Sequence, residues 1–150
     1  MKHTHTGFTL IEILLVIGLI AILAAIVIIA VNPARQLEKA RDTERLADVY
    51  TILNALQQYA VDHGGSFPDN LSTDSYEICR TGAEDCTDMY DLSALTDNGT
   101  YLVSIPMDPL CDTDNGDCDP NGVGYQLNLT SNGRLHIVAD GEGIAIDVTK

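Results

Sequence analysis

Glu12 is the residue whose setting most demands a chemical partner. It is the one charged side chain in an otherwise apolar run from Phe8 to Val31. A carboxylate in hydrocarbon costs on the order of 3 kcal/mol on insertion scales, so it calls for a nearby cation. The nearest candidate is a terminal ammonium, which Phe8 would carry if the chain were cut after Gly7. Cysteine supplies a second chemistry. Cys79, Cys86, Cys111 and Cys118 form an even set beyond the apolar run, suited to disulfides in an oxidising compartment. Of the three connectivities, the favoured one is local, Cys79–Cys86 and Cys111–Cys118, each closing a short loop. A zinc site of four thiolates is the competitor, and it lacks CxxC-type spacing. The third set is Asp112, Asp114, Asp117 and Asp119, grouped around Gly116. Calcium takes six to eight oxygens from carboxylates and carbonyls on a tightly turning loop. This is no EF-hand, since the glycine comes early and no glutamate follows at the required distance. Two readings stand: a Ca2+ site, or a hydrophilic acidic turn stapled by its flanking cysteines.

The elements that must position these residues follow from the hydropathy pattern. The run from Phe8 to Val31 is about 24 residues, roughly 36 Å of helix, which spans a bilayer. An ordinary secretory signal has a shorter apolar region followed by a small-residue cleavage site. Gly18, Ala21, Ala24 and Ala25 would let neighbouring helices approach closely. Asn32-Pro33 ends the run, and the proline predicts a kink or local unwinding. The helix is expected to resume from Ala34 to about Asp62. Leu46, Val49, Leu53, Leu56 and Ala60 give it one apolar face, widened by Ile52, Ala55 and Tyr59 for burial against a sheet. Arg41 and Arg45 fall one turn apart, within pairing reach of Glu38 and Asp42. They read either as a solvated charged collar or as a contact for acidic neighbouring copies. His63-Gly64-Gly65 stops the helix, and Ser66-Phe67-Pro68 turns the chain away.

From Asp69 to Gly99 the sequence is polar and irregular, with one short helix expected near Tyr90 to Leu95. Strand candidates are Tyr101–Ile105 (with a helix as its alternative), Tyr125–Leu129, Leu135–Ala139 and Ile144–Val148, with Ser131-Asn132-Gly133 as a hairpin loop. Asp140-Gly141-Glu142-Gly143 reads as a plain turn and only a weak cation candidate.

The chain has 150 residues and a formal charge of −14. Beyond Arg45 only Arg80, Arg134 and Lys150 are basic, so the body repels phosphate backbones, and nucleic-acid binding through it is disfavoured. Orientation signals conflict. Lys2 precedes the apolar run, whereas Arg35, Lys39, Arg41 and Arg45 follow it, a bias that alone would keep the body inside the cell. The cysteines point outward. The sequence carries no nucleophile motif, phosphate-cradling glycine loop or metallohydrolase pattern, and His63 and His136 sit in no recognisable motif. The expectation is a protein that is not an enzyme.

In their order along the chain these features resemble the type IV pilin and type II secretion pseudopilin family. Gly7-Phe8-Thr9-Leu10-Ile11-Glu12 is similar to its prepilin processing motif. Ala55-Leu56-Gln57-Gln58-Tyr59, Gly65-Ser66-Phe67-Pro68, Tyr101-Leu102 and Ile105-Pro106-Met107-Asp108-Pro109 resemble, as an ordered series, the body of major pseudopilins. The resemblance implies cleavage between Gly7 and Phe8 by a prepilin peptidase on the cytoplasmic side, with N-methylation of Phe8. It implies that Glu12 pairs with the Phe8 amine of a neighbouring subunit during filament assembly. The implied fold is α+β: a long N-terminal α-helix packed on a small antiparallel β-sheet. The corresponding divisions are a leader over 1–7, a membrane and assembly helix over 8–31, an amphipathic half over 32–62 and a globular head over 63–150. The resemblance also implies that a Ca2+ site can occur in this part of the body, without fixing its ligands, so Ca2+ at Asp112, Asp114, Asp117 and Asp119 and the plain stapled turn both stay open.

The implied function is that of a structural filament subunit, in a type IV pilus or a secretion pseudopilus. Its partners would be copies of itself, the prepilin peptidase, the inner-membrane assembly platform and membrane lipid before assembly. It would cross the cytoplasmic membrane once with its C-terminal body exported, then reside in an extracellular or periplasmic filament. The alternatives are a minor or tip pilin that binds a surface or DNA, and a membrane-anchored calcium-binding surface domain. One feature departs from the family: many pilins carry a proline near the middle of the membrane helix, whereas the only helix proline here is Pro33.

Overall fold

Two long helices form the first half of the chain because apolar and amphipathic runs meet at a residue pair that cannot continue a helix. A computed structural model describes residues 7–68, 71–111, 118–143 and 145–150. Helix α1 spans Leu10–Val31 and α2 spans Pro33–Asp62. Asn32 between them has φ 47°, in the left-handed region, and Pro33 takes the first position of α2. Proline is well placed there, because the N–H it lacks would have had no helical acceptor. The chain divides into two units, one ending at Leu37 and one running from Glu38 to Lys150.

In the first unit no residue of α1 is buried. In the second, α2 buries Asp42, Arg45, Val49, Ile52, Leu53, Ala55, Leu56 and Ala60, a face repeating every three or four residues. Leu46 corrects the sequence reading: it stays 37% exposed. The turn before Val49 on the buried face is occupied by Asp42 and Arg45, so the apolar stripe begins one turn late. Helix α2 ends as expected, with Gly64 and Gly65 at φ 67° and 94° and the Gly65 N–H bonded to the Ala60 carbonyl at 2.7 Å.

Four antiparallel strands, β1 (Tyr76–Cys79), β2 (Gly122–Leu129), β3 (Leu135–Ala139) and β4 (Ile146–Thr149), pair in the order β1-β2-β3-β4. Their inward residues, among them Ile78, Val123, Tyr125, Leu127, Leu135, Ile137, Ala139 and Ile146, close one core with Val49 to Leu56 of α2. The hairpin at Ser131-Asn132-Gly133 is present, locked by Thr130 N–H to Arg134 O and Gly133 N–H to Thr130 O, both 2.8 Å. The α+β class is therefore observed.

Four expectations are corrected. Strand β1 lies inside the stretch read as irregular. Residues 101–105 are not a strand; the Tyr101 and Leu102 amides bond instead to the carbonyl of Leu95 at 3.3 and 3.0 Å, wrapping the end of a one-turn helix α3 (Ser93–Thr96). The helix expected at Tyr90–Leu95 is this α3, while Tyr90 forms a parallel bridge with Ile78. The last strand is shifted to Ile146–Thr149, and Ile144 lies outside the described residues.

Candidate functional site

The N-terminal site is assembled by a helix cap. Thr9 is extended at φ −79° and ψ 150°, and its Oγ1 accepts the Glu12 N–H at 3.3 Å. Its carbonyl accepts the Glu12 and Ile13 amides at 3.2 and 3.3 Å. A threonine cap sets where α1 begins and leaves Gly7 and Phe8 outside the helix. Phe8 is 79% exposed, so the Gly7–Phe8 peptide bond lies in non-helical, accessible chain. Glu12 falls in the first turn of α1, where the helix dipole favours a negative charge. The structure thus places Gly7, Phe8 and Glu12 together along one segment. Helix α1 is long and apolar enough to cross a membrane, with mean hydropathy 3.4 over its best window and none of that window buried.

In the body the cysteines pair as Cys79–Cys86 and Cys111–Cys118, with Cα separations of 5.6 and 5.2 Å. Zinc held by four thiolates is thereby excluded. Of the acidic loop, Asp112, Asp114 and Asp117 lie outside the described residues. Asp119 is exposed, and its Oδ1 accepts the Asn121 N–H at 2.9 Å. Among the described residues no group of three or more His, Cys, Asp or Glu side chains is placed to hold a metal ion.

The body also contains a buried polar network that sequence reasoning did not assemble. Arg45, 1% exposed, bonds the Asp108 carboxylate through Nε and through Nη2 (3.1 Å), and its Nη1 bonds Asp42 at 2.8 Å. Asp42 also accepts the backbone amides of Glu142 and Gly143, both at 2.9 Å. Arg41 grips the Glu142 carboxylate with Nε and with Nη2 at 2.7 Å. The collar reading of Arg41 and Arg45 is corrected: Arg45 is the buried hub, and Arg41 is engaged within its own chain. Asp140-Gly141-Glu142-Gly143, expected as a plain turn, is the segment they fasten. The available signal was Asp108 in the Ile105–Pro109 series, a fixed acid with no assigned partner.

Charges respond to this arrangement as expected. The Asp108 hydrogen bond, opposed by burial, raises the Arg45 pKa, and the hydrogen bond with Glu142 raises that of Arg41. Arg41 in turn lowers the Glu142 carboxyl below its ordinary value. Beside them the Tyr125 hydroxyl donates to Asp48 at 2.8 Å. Burial raises both groups.

The segment, the exposed apolar helix and the α+β body define a pilin-like subunit, and the comparisons agree. A family model described as the prokaryotic N-terminal methylation motif matches residues 2–28. Over 108 residues the chain is 29% identical to the type II secretion system core protein G of Aeromonas hydrophila, covering 72% of this chain and 69% of that protein. No solved structure matches. Both matches liken the chain to the type IV pilins and type II secretion pseudopilins, a family that is structural rather than enzymatic.

Proposed function

We propose that this chain is a filament subunit of a secretion pseudopilus, cut between Gly7 and Phe8 by a prepilin peptidase, N-methylated on Phe8 and polymerised through α1. The observation that carries the reading is the coincidence of the methylation-motif match over residues 2–28 with a capped helix that carries Glu12 in its first turn and buries none of its residues. An apolar helix of this length needs lipid or other apolar helices around it. Before assembly, lipid covers it; in the filament, copies of α1 replace lipid. Glu12 then meets the Phe8 ammonium of a neighbouring copy. With water excluded, a carboxylate left without its partner is costly, which fixes the register between copies. The body is exported, consistent with its two disulfides. The relative in Aeromonas favours a secretion pseudopilus over a surface pilus.

The deciding experiment is intact mass and N-terminal sequencing of the chain recovered from sheared filaments. The expected product begins at N-methyl-Phe8, with each disulfide seen as the loss of one pair of hydrogens. A chain still beginning at Met1 in cells with an active prepilin peptidase would overturn the reading. Calcium at Asp112, Asp114, Asp117 and Asp119 belongs to the same proposal. Its check is calorimetric titration of the full chain in micelles with Ca2+, where an Asp112→Asn/Asp114→Asn variant should lose the binding heat.

A further inference from the structure

The side chains of Asp108, Cys111 and Cys118 converge on a single position of β2. A Cβ at Gly124 would lie 2.9 Å from the Asp108 Cβ and from the Sγ atoms of both cysteines. Gly124 also has φ 80°, a conformation that disfavours other residues. One short turn carries both the acid and the first sulfur. The Asp108 N–H bonds Val123 O at 2.9 Å, the Leu110 N–H bonds Asp108 Oδ1 at 2.8 Å, and the Cys111 N–H bonds Asp108 O at 3.0 Å. On the far side, Cys118 leads into the turn closed by the Gly122 N–H on Asp119 O at 2.9 Å, where β2 begins. The disulfide therefore ties the turn presenting Asp108 to the start of the strand beneath it.

We propose that closure of Cys111–Cys118 is the step that completes the buried Arg45 network, making the finished body conditional on oxidation. Two thiols give up two protons and two electrons to the disulfide of an oxidant, which leaves as a dithiol; one S–S bond forms as another breaks. Crosslinking removes conformations in which the Asp108 turn swings away from Gly124 and its carboxylate returns to water. Only with Asp108 held there does Arg45 keep both of its buried carboxylates. Asp42 is then held in place to receive the amides of Glu142 and Gly143. Cys79–Cys86 has different surroundings, with the Cys79 N–H bonded to Tyr90 O at 2.9 Å, and serves as an internal control. That the oxidant acts on an exported body rests on the proposed function; the coupling within the body does not.

Coupling is reciprocal, so a network stabilised by the disulfide must stabilise the disulfide by the same factor. The test equilibrates the full chain in micelles with graded dithiothreitol redox buffers, traps thiols by alkylation and reads each cysteine pair by peptide mass. Asp108→Asn is expected to ease reduction of Cys111–Cys118 by about tenfold or more, within the usual range of such couplings, and to leave Cys79–Cys86 unchanged. Equal reducibility of Cys111–Cys118 in both chains overturns the proposal. Loss of both disulfides together overturns it too, since that reports general unfolding. A second measurement uses the unaltered chain. Selective reduction of Cys111–Cys118 should speed hydrogen exchange at the Glu142 and Gly143 amides by roughly tenfold, matching the coupling. Unchanged exchange there would refute it.

Discussion

Arg45 holds Asp42 and Asp108 where water does not reach them, so its removal strands two buried carboxylates. Arg45→Met is expected to cost about 3–5 kcal/mol, read as a fall in the urea midpoint of the chain in micelles. Replacing Asp42 and Asp108 by apolar residues as well should restore much of that loss. Two neighbouring acids act in opposite pH windows. Asp48 has its folded pKa raised by burial, so its contribution is present below the unfolded value near about 4 and fades as pH rises through the folded value. Asp48→Asn, which keeps an acceptor for Tyr125, should therefore raise the midpoint at pH 7 and flatten its fall from pH 4. Glu142 is lowered by Arg41, so its contribution is present above the unfolded value and is lost as pH falls through the folded one. Glu142→Gln should remove that acid-side decline. In the sequence Glu12 draws attention to the Gly7–Phe8 junction because a lone charge in an apolar run admits few explanations. Arg45 was not. Its local neighbours suggest a solvated charge ladder, and its deciding partner Asp108 lies 63 residues away.

Helix α2 and strand β3 follow directly from pattern, because their apolar periods are long enough to exceed noise. Strand β1 did not, and the reason is physical. Tyr76–Cys79 has four residues with no clean alternation, and its pairing is bulged between Glu77 and Cys79. It exists because β2 extends back to Gly122 and offers an edge, where Glu77 accepts the Gly124 N–H at 2.7 Å. Tertiary pairing, rather than local propensity, creates that element. The same distinction predicts which face of α2 carries stability. Leu53→Ala, at a fully buried position, should cost about 2–5 kcal/mol. Tyr50→Ala, at a position 44% exposed, should change the stability by about 0.5 kcal/mol or less. Equal effects at the two positions would show that the helix buries a different face.

For the whole molecule, the division at Leu37 separates a segment that buries none of its α1 residues from a body with its own core. Assembly and folding should therefore be separable by mutation. Glu12→Ala subunits are expected to be cut and methylated normally, to remain in the membrane fraction and to be missing from sheared filaments. Their body disulfides should be as resistant to reduction as in the unaltered chain. Recovery of Glu12→Ala filaments in normal yield would remove Glu12 from the account of register.

The join at Asn32-Pro33 also has a mechanical meaning. Pro33 has no N–H to donate, and the next amides reach back weakly, Arg35 to Asn32 Oδ1 at 3.5 Å and Gln36 to Asn32 O at 3.4 Å. Under axial tension, backbone extension should begin at this poorly bonded step before the regular turns on either side give way. In a fibre of many copies, each subunit would then contribute one soft element in series. Filaments carrying Pro33→Ala with Asn32→Ala should stretch less at a given load in an optical trap, and unchanged compliance would place the soft element elsewhere.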